Sequence, residues 1–379
     1  MIPMPKRPLA IAIAGSLLIA LVAPVVGAQN PSSSVGSTSM REQRAKRLAE
    51  LGKAVDDKKP VEQAPLRYPN ATRVTPDAKA NAKMIKNLQE LQELYEMQDM
   101  AGVIAKAEAV AAMPAANAYE KSYAYSLAAN ASADNDEQPK ATDYFRKAID
   151  ANGLDNDSHY TTMYNLAVVQ YGMEKYQDAL TTLDRFLAET KSDKPEQQSM
   201  RGGILANLNR HDEAAALYQD LVAKNPTDKR LMMNAVAALQ GADKFDQANL
   251  LLEDAYKRGM LTESREVRAL YVGYMNAQRW TDAQKVIEDG VTKGILQSGP
   301  DLARDYQVLA QNAYGDDKVA LAAELYSKAA PMAADGEAYL NLAKVLEFAG
   351  KKADAKVAAQ QALDKGVKKP DEAKGILAR

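Results

Sequence analysis

The chain has 379 residues, of which 46% are hydrophobic and 26% charged; this is the balance of a folded, soluble protein with a sizeable core. Lys and Arg number 48 against 50 Asp and Glu, so no global basic field draws nucleic acid. With no cysteine and only two histidines, His159 and His211, the chain lacks disulfides, thiolate zinc sites, cysteine nucleophiles and multi-histidine metal centres. Aromatics are 6%, and helix-favouring Ala, Leu, Lys, Glu and Gln dominate, which points to an all-α protein.

The N-terminus has the order of a cleavable secretory signal. Lys6 and Arg7 precede an apolar run from Leu9 to Val26, and small residues follow at Gly27 and Ala28. Cleavage is expected after Ala28, giving a periplasmic protein, or a secreted one where the host lacks an outer membrane. Pro24 and the polar stretch from Gln29 to Ser34 argue against retention as an anchor. No second run approaches the roughly 18 apolar residues of a span, so no transmembrane segment is expected after cleavage.

Residues 29–78 read as a flexible, locally basic tether. From Arg41 to Lys83 there are eleven basic and six acidic residues. That excess suits either a solvated linker or attraction to an acidic membrane face. Pro60, Pro65, Pro69 and Pro76 keep its second half extended.

From residue 79 to 367 the chain repeats. Tyr176-Gln177-Asp178-Ala179, His211-Asp212-Glu213-Ala214, Phe245-Asp246-Gln247-Ala248 and Trp280-Thr281-Asp282-Ala283 align directly, and weaker copies end at Ala141, Ala322 and Ala355. These alanines are 38, 35, 34, 35, 39 and 33 residues apart. Four residues beyond them stand Phe145, Leu183, Tyr218, Leu252, Ile287 and Tyr326, with Ala359 as the exception. Thirteen before come Leu166, Leu270, Leu309 and Leu342, each followed by Ala or Tyr, while the fourth copy carries Arg201 and Gly202 there.

This pattern resembles the tetratricopeptide repeat (TPR), in which a pair of antiparallel helices, A and B, recurs about every 34 residues. The resemblance implies a right-handed superhelical solenoid of about eight repeats. Residues 85–116 would be a degenerate first copy, and 368–379 a C-terminal capping helix opened by Pro370. The small residue in A and the alanine in B let the backbones cross closely, while Phe145 and Trp280 are expected to plug the gaps to neighbouring helices. Leu251–Leu261 (LLEDAYKRGML), Gly336–Ala343 (GEAYLNLA) and Ala362–Val367 (ALDKGV) are similar to periplasmic TPR proteins associated with TonB energy-transduction systems.

Motifs for catalysis are missing: no phosphate-cradling Gly-rich loop, no His-Glu-x-x-His and no Gly-x-Ser-x-Gly. The chain is therefore expected to be no enzyme and to need no cofactor or metal. The acidic stretch Asp150–Asp157 resembles a calcium loop only loosely, with Leu154 where a ligand oxygen belongs, and reads as an inter-repeat turn. His211 fills an aromatic repeat slot as a packed surface histidine. His159, opening a helix, is expected to be solvated.

Function then falls to the concave groove, which the resemblance lines with A helices and assigns to a protein or peptide partner. Asn165, Asn234 and Asn341 stand at the sixth repeat position, as in carboxylate-clamping TPRs, but the basic residues of a full clamp are replaced by Glu196 and Met200. Arg230, Arg265 and Arg304 share the second position of three consecutive repeats, with Arg268 nearby. Tyr164, Tyr171 and Tyr314 face the groove by register. These residues make either a solvated face or a partner-binding wall. The envelope role implied is a scaffold in a TonB-type complex or an adaptor in outer-membrane or peptidoglycan assembly.

Overall fold

The computed structural model describes residues 65–379; the signal-like segment, its cleavage site and residues 29–64 of the tether lie outside the described residues. Among the described residues all regular structure is helical. Two compact units are present, 65–244 and Phe245–Arg379. In the first, α1 (Ile85–Glu96) pairs with α2 (Met100–Ala112), α3 (Ala118–Asp134) with α4 (Gln138–Ala151), α5 (Asn156–Gly172) with α6 (Tyr176–Thr190) and α7 (Pro195–Asn207) with α8 (His211–Lys224), and α9 (Lys229–Gly241) follows. In the second, α10 (Phe245–Lys257) packs on α11 (Ser264–Asn276). Then α11 pairs with α12 (Trp280–Thr292), α13 (Pro300–Gly315) with α14 (Val319–Met332) and α15 (Glu337–Phe348) with α16 (Lys352–Asp364). Finally α17 (Pro370–Leu377) lies against α15 and α16 and buries Ala373 and Ile376.

Each repeat alanine is the fourth residue of its B helix and is withdrawn from solvent: Ala141, Ala179, Ala214, Ala248, Ala283, Ala322 and Ala355 are at most 1% exposed. At that point a methyl is all the space between crossing helices allows. One turn on, Phe145, Leu183, Tyr218, Leu252, Ile287, Tyr326 and Ala359 are also buried. Gly202 serves the same end on α7. A Cβ built there would lie 2.6 Å from a ring carbon of Tyr218, whose hydroxyl donates to the Ser199 carbonyl at 2.8 Å. Beside it Arg201, in a leucine slot, is half-buried and held by Asp184 of α6 at 2.7 Å.

The A-to-B turns have a common backbone device. Five residues before each repeat alanine the chain enters the left-handed region, at Asp136, Glu174, Asn209, Asp243, Gln278, Asp317 and Gly350, and Gln98 does the same before α2. The next residue's N–H returns to a carbonyl five positions back, as in Glu137 to Ser132, Lys175 to Gln170 and Arg279 to Tyr274, at 2.8–2.9 Å. The left-handed residue's own N–H bonds three back, as in Gln278 to Met275 at 3.0 Å. This is a Schellman closure, and it satisfies carbonyls that a helix end otherwise leaves open. Only one of the eight positions is glycine, although a side chain there costs about 1 kcal/mol or more.

Ties between successive repeats run along the B helices. Tyr144 of α4 donates to Glu108 of α2, Tyr256 of α10 donates to Asp289 of α12, and Lys328 of α14 reaches Glu288 of α12 at 2.9 Å. Trp280 departs from the expected role. As the first residue of α12 it is only half-buried, unlike Phe145, which is 1% exposed in the core.

Candidate functional site

The A helices carry the residues expected to meet a partner, and their surroundings differ. Tyr164 packs its ring 5.4 Å from that of Phe186, and burial pushes its phenol up to about 12. Tyr171 accepts from Asn207 Nδ2 at 3.2 Å and stands edge-on to Tyr176 at 5.6 Å. Tyr314 meets Phe348 in the same way at 5.8 Å. Asn165 and Asn341 are half-buried, whereas Asn234 is 4% exposed; its Nδ2 faces Ser199 Oγ at 3.5 Å and its Oδ1 has no partner. Asn234 thus belongs to the floor of α7 and α9, not to an open wall.

Arg230, Arg265 and Arg304 are exposed but already paired. In the first unit Arg230 lies 3.9 Å from Asp228. In the second, Arg265 Nε contacts Glu263 at 2.8 Å. Asp301 there bridges Arg304 at 3.3 Å and Arg268 at 3.6 Å. Arg268 also reaches the fully buried Asp305 at 3.2 Å. The sequence alignment registers the arginines and says nothing of these partners. In each unit the result is a set of exchangeable surface ion pairs, in which an incoming carboxylate competes with one already present. Arg268 differs from the others. Its buried partner makes it part of the packing between α11 and α13, since an uncompensated buried charge would be costly.

A second feature was not legible in the sequence. Residues 65–78, the end of the expected free tether, form a strap over the first unit. Asp157, in the first turn of α5, accepts the N–H groups of Arg67 at 2.9 Å and Tyr68 at 3.2 Å. Arg67 Nη1 donates to Thr161 at 3.2 Å. Thr161 occupies the second repeat position on α5, the position Arg230 holds on α9. The Tyr68 ring enters a pocket made by Tyr160 and Phe186, at 5.8 and 5.4 Å between ring centres, with the Lys194 ammonium 5.4 Å from its centroid. Arg73 then binds the loop after α4, donating to Asn152 Oδ1 at 2.8 Å, Asn156 Oδ1 at 2.7 Å and the Asn152 and Leu154 carbonyls at 3.1 and 3.0 Å. Further on, Asn81 and Asn117 tie the segment to the start of α3 through the buried Glu120. The acidic stretch once comparable to a calcium loop is therefore a receptor for arginine and backbone N–H groups.

His159 lies near this strap, and the expectation of a solvated ring is corrected. It is 1% exposed, edge-on to Tyr160 at 5.3 Å, with neither ring nitrogen partnered. Burial, and then the guanidinium groups of Arg73 and Arg185, push it down to about 4. His211 is half-buried against Gly241, whose added Cβ would meet its ring at 2.7 Å. Among the described residues no group of three or more His, Cys, Asp or Glu could hold a metal ion, and no helix is long and apolar enough to cross a membrane.

No protein-family model and no curated protein matches the sequence. Among solved structures, the chain is similar to a tetratricopeptide repeat protein from Parabacteroides merdae, at 16% identity and TM-score 0.40 over 69% of this chain and 98% of that one. It is also similar to the C-terminal part of a TPR repeat-containing protein from Cytophaga hutchinsonii, at 19% identity and TM-score 0.46 over 65% and 97%. A third is YrrB, described as a TPR protein with an unusual peptide-binding site, at 19% and 0.37 over 53% and 99%. These likenesses concern the arrangement of helices alone.

Proposed function

We propose that the chain is an exported TPR-type scaffold of the bacterial envelope, holding a protein or peptide partner through residues of its A helices as an accessory of a TonB-type complex. The observation that carries this reading is the set of second-position arginines. Arg230, Arg265 and Arg304 keep 50%, 63% and 60% of their side chains exposed while held only by surface carboxylates. Such pairs are worth little and are screened by salt, so an acidic or carbonyl-bearing segment replaces them readily, each guanidinium taking two acceptors at once. Support for export comes from the signal-like order of residues 6–28, and for the TonB association from the resemblance at 251–261 and 336–367. A non-catalytic role accords with the lack of any catalytic motif in the sequence.

The test is a crosslinking pull-down from the periplasm with the parent chain and the variant carrying Arg230→Ala, Arg265→Ala and Arg304→Ala, at low and high salt. The proposal expects TonB-type motor proteins in the parent capture, lost from the variant and weakened by salt. Capture of outer-membrane or peptidoglycan assembly proteins would move the role to an assembly adaptor. Unchanged capture by the variant would move the binding surface away from these arginines.

A further inference from the structure

The strap is held as a bound peptide is held. One aromatic ring, Tyr68, is 6% exposed in its pocket, while the residues at either end of the strap, Leu66 and Val74, are 67% and 89% exposed. Its backbone is read by the protein: Asp157 takes two N–H groups, and the Glu189 carbonyl takes a third, from Thr72, at 2.8 Å. Five residues after the ring, Arg73 makes four hydrogen bonds to the 152–156 loop, and Asn156 Nδ2 answers by donating to the Arg73 carbonyl at 2.9 Å. Charge is matched as well. Arg67 and Arg73 of the strap meet Asp155, Asp157 and Glu189 of the surface beneath, where Arg185 pairs with Glu189 and Lys194 lies over the Tyr68 ring. A buried aromatic anchor, main-chain hydrogen bonds and a charged outer contact are the elements by which extended peptides are recognised.

We infer that the cleft between the N-terminal ends of α5 and α7 and the C-terminal end of α6 is a peptide-binding site whose resident is the chain's own segment 67–73. A partner segment of the same chemistry, extended and with an aromatic residue followed five positions later by arginine, takes this place when the strap leaves. The strap contributes one deeply buried side chain and no helix, so its release uncovers little apolar surface. Joined to α1 by residues 74–84, it remains at an effective concentration of the order of mM. A free peptide therefore competes poorly with an intact strap and binds once the strap's anchors are gone. The inference is independent of the second-position arginines.

In the full chain, Tyr68→Ala with Arg73→Ala removes both anchors and changes no residue of the cleft. A fluorescein-labelled peptide of residues 64–76 would be titrated against parent and double variant by anisotropy, with a scrambled peptide as control. The expected result is binding to the variant at least tenfold tighter than to the parent, and none by the scrambled sequence. A variant with parent-like circular dichroism that binds no better than the parent overturns the site. Hydrogen exchange on the parent gives a second reading that needs no variant. The amides of Arg67, Tyr68 and Thr72 should exchange at least tenfold faster than those in the middle of α5 and α6. Equal protection would mean that the strap opens only when the helix pairs unfold, and the inference fails.

Discussion

The phenol of Tyr271 on α11 donates a 2.7 Å hydrogen bond to the carboxylate of Asp305 on α13, a group with no solvent exposure. Burial pushes both groups up, and the Arg268 guanidinium partly offsets this at the carboxylate. The three residues therefore act as one link between successive A helices. Asp305→Ala should cost about 3–5 kcal/mol, because it strands the Tyr271 hydroxyl and a half-buried arginine. Asp305→Asn keeps an acceptor for the phenol and should cost about 1–3 kcal/mol. Urea denaturation of the two variants checks the order; equal losses would show that the charge contributes nothing.

The repeat register makes a graded prediction about large side chains. Phe145, 1% exposed, should cost about 3–5 kcal/mol on change to Ala. Trp280 is half-buried at a helix start, so Trp280→Ala should cost only about 1–2 kcal/mol despite the larger ring. Ala283→Leu and Gly202→Ala should each overpack their crossings by roughly 1–3 kcal/mol. Thermal melts of the four variants test whether the crossings lie where the alignment puts them.

The turns respond in the opposite sense. Gln278 holds φ at 57° with a side chain, so Gln278→Gly should stabilise by up to about 1 kcal/mol. At Gly350, with φ at 77°, change to Val should destabilise by roughly 1–2 kcal/mol. If neither melting temperature moves, the left-handed closures are not a determinant of the turns.

His159 gives the protein an acid limit. Its folded-state value, about 4, lies below the roughly 6.5 of an exposed imidazole. The folded form thus binds fewer protons than the unfolded one between these values. Stability is fully present above pH 6.5 and falls as the pH drops toward 4. Arg73 and Arg185 oppose protonation, while Glu189 and Asp155 favour it. The variant His159→Phe, which keeps a ring against Tyr160, should flatten this decline. Denaturation midpoints at pH 7, 5.5 and 4.5 measure the difference, and parallel curves for parent and variant would assign the acid sensitivity elsewhere.

What the sequence made legible is what recurs. An alanine in phase over six intervals marks a helix crossing because that contact is the same in every copy, and the seven alanines are buried accordingly. The turns recur equally well but in backbone conformation, and Gln, Asp, Glu, Asn and Gly all serve there, so residue type carried little signal. Size and repeat register both point to Trp280 as a core plug, yet at the first position of its helix it is only half-buried. The arginines could be registered, yet their carboxylate partners come from N-terminal flanks, as Asp228 and Glu263 do, or from helix positions the repeat pattern does not fix, as Asp301 and Asp305 do. The strap occurs once and joins residues about ninety positions apart, as Arg67 and Asp157 are. Its prolines and basic residues look alike whether free or docked, and a single tyrosine carries no pattern that would mark a pocket.

The docked strap also sets an order of events in time. A ribosome makes Tyr68 before Asp157, Phe186 and Lys194, at about 5–20 residues per second. Its pocket therefore does not exist for several seconds after the tyrosine has been made. Helix pairs with near-neighbour contacts close quickly, whereas a loop of this length closes later. The earliest described residues to be synthesised are thus among the last to settle, and until they do the half-built array carries both an exposed aromatic ring and the empty cleft that fits it.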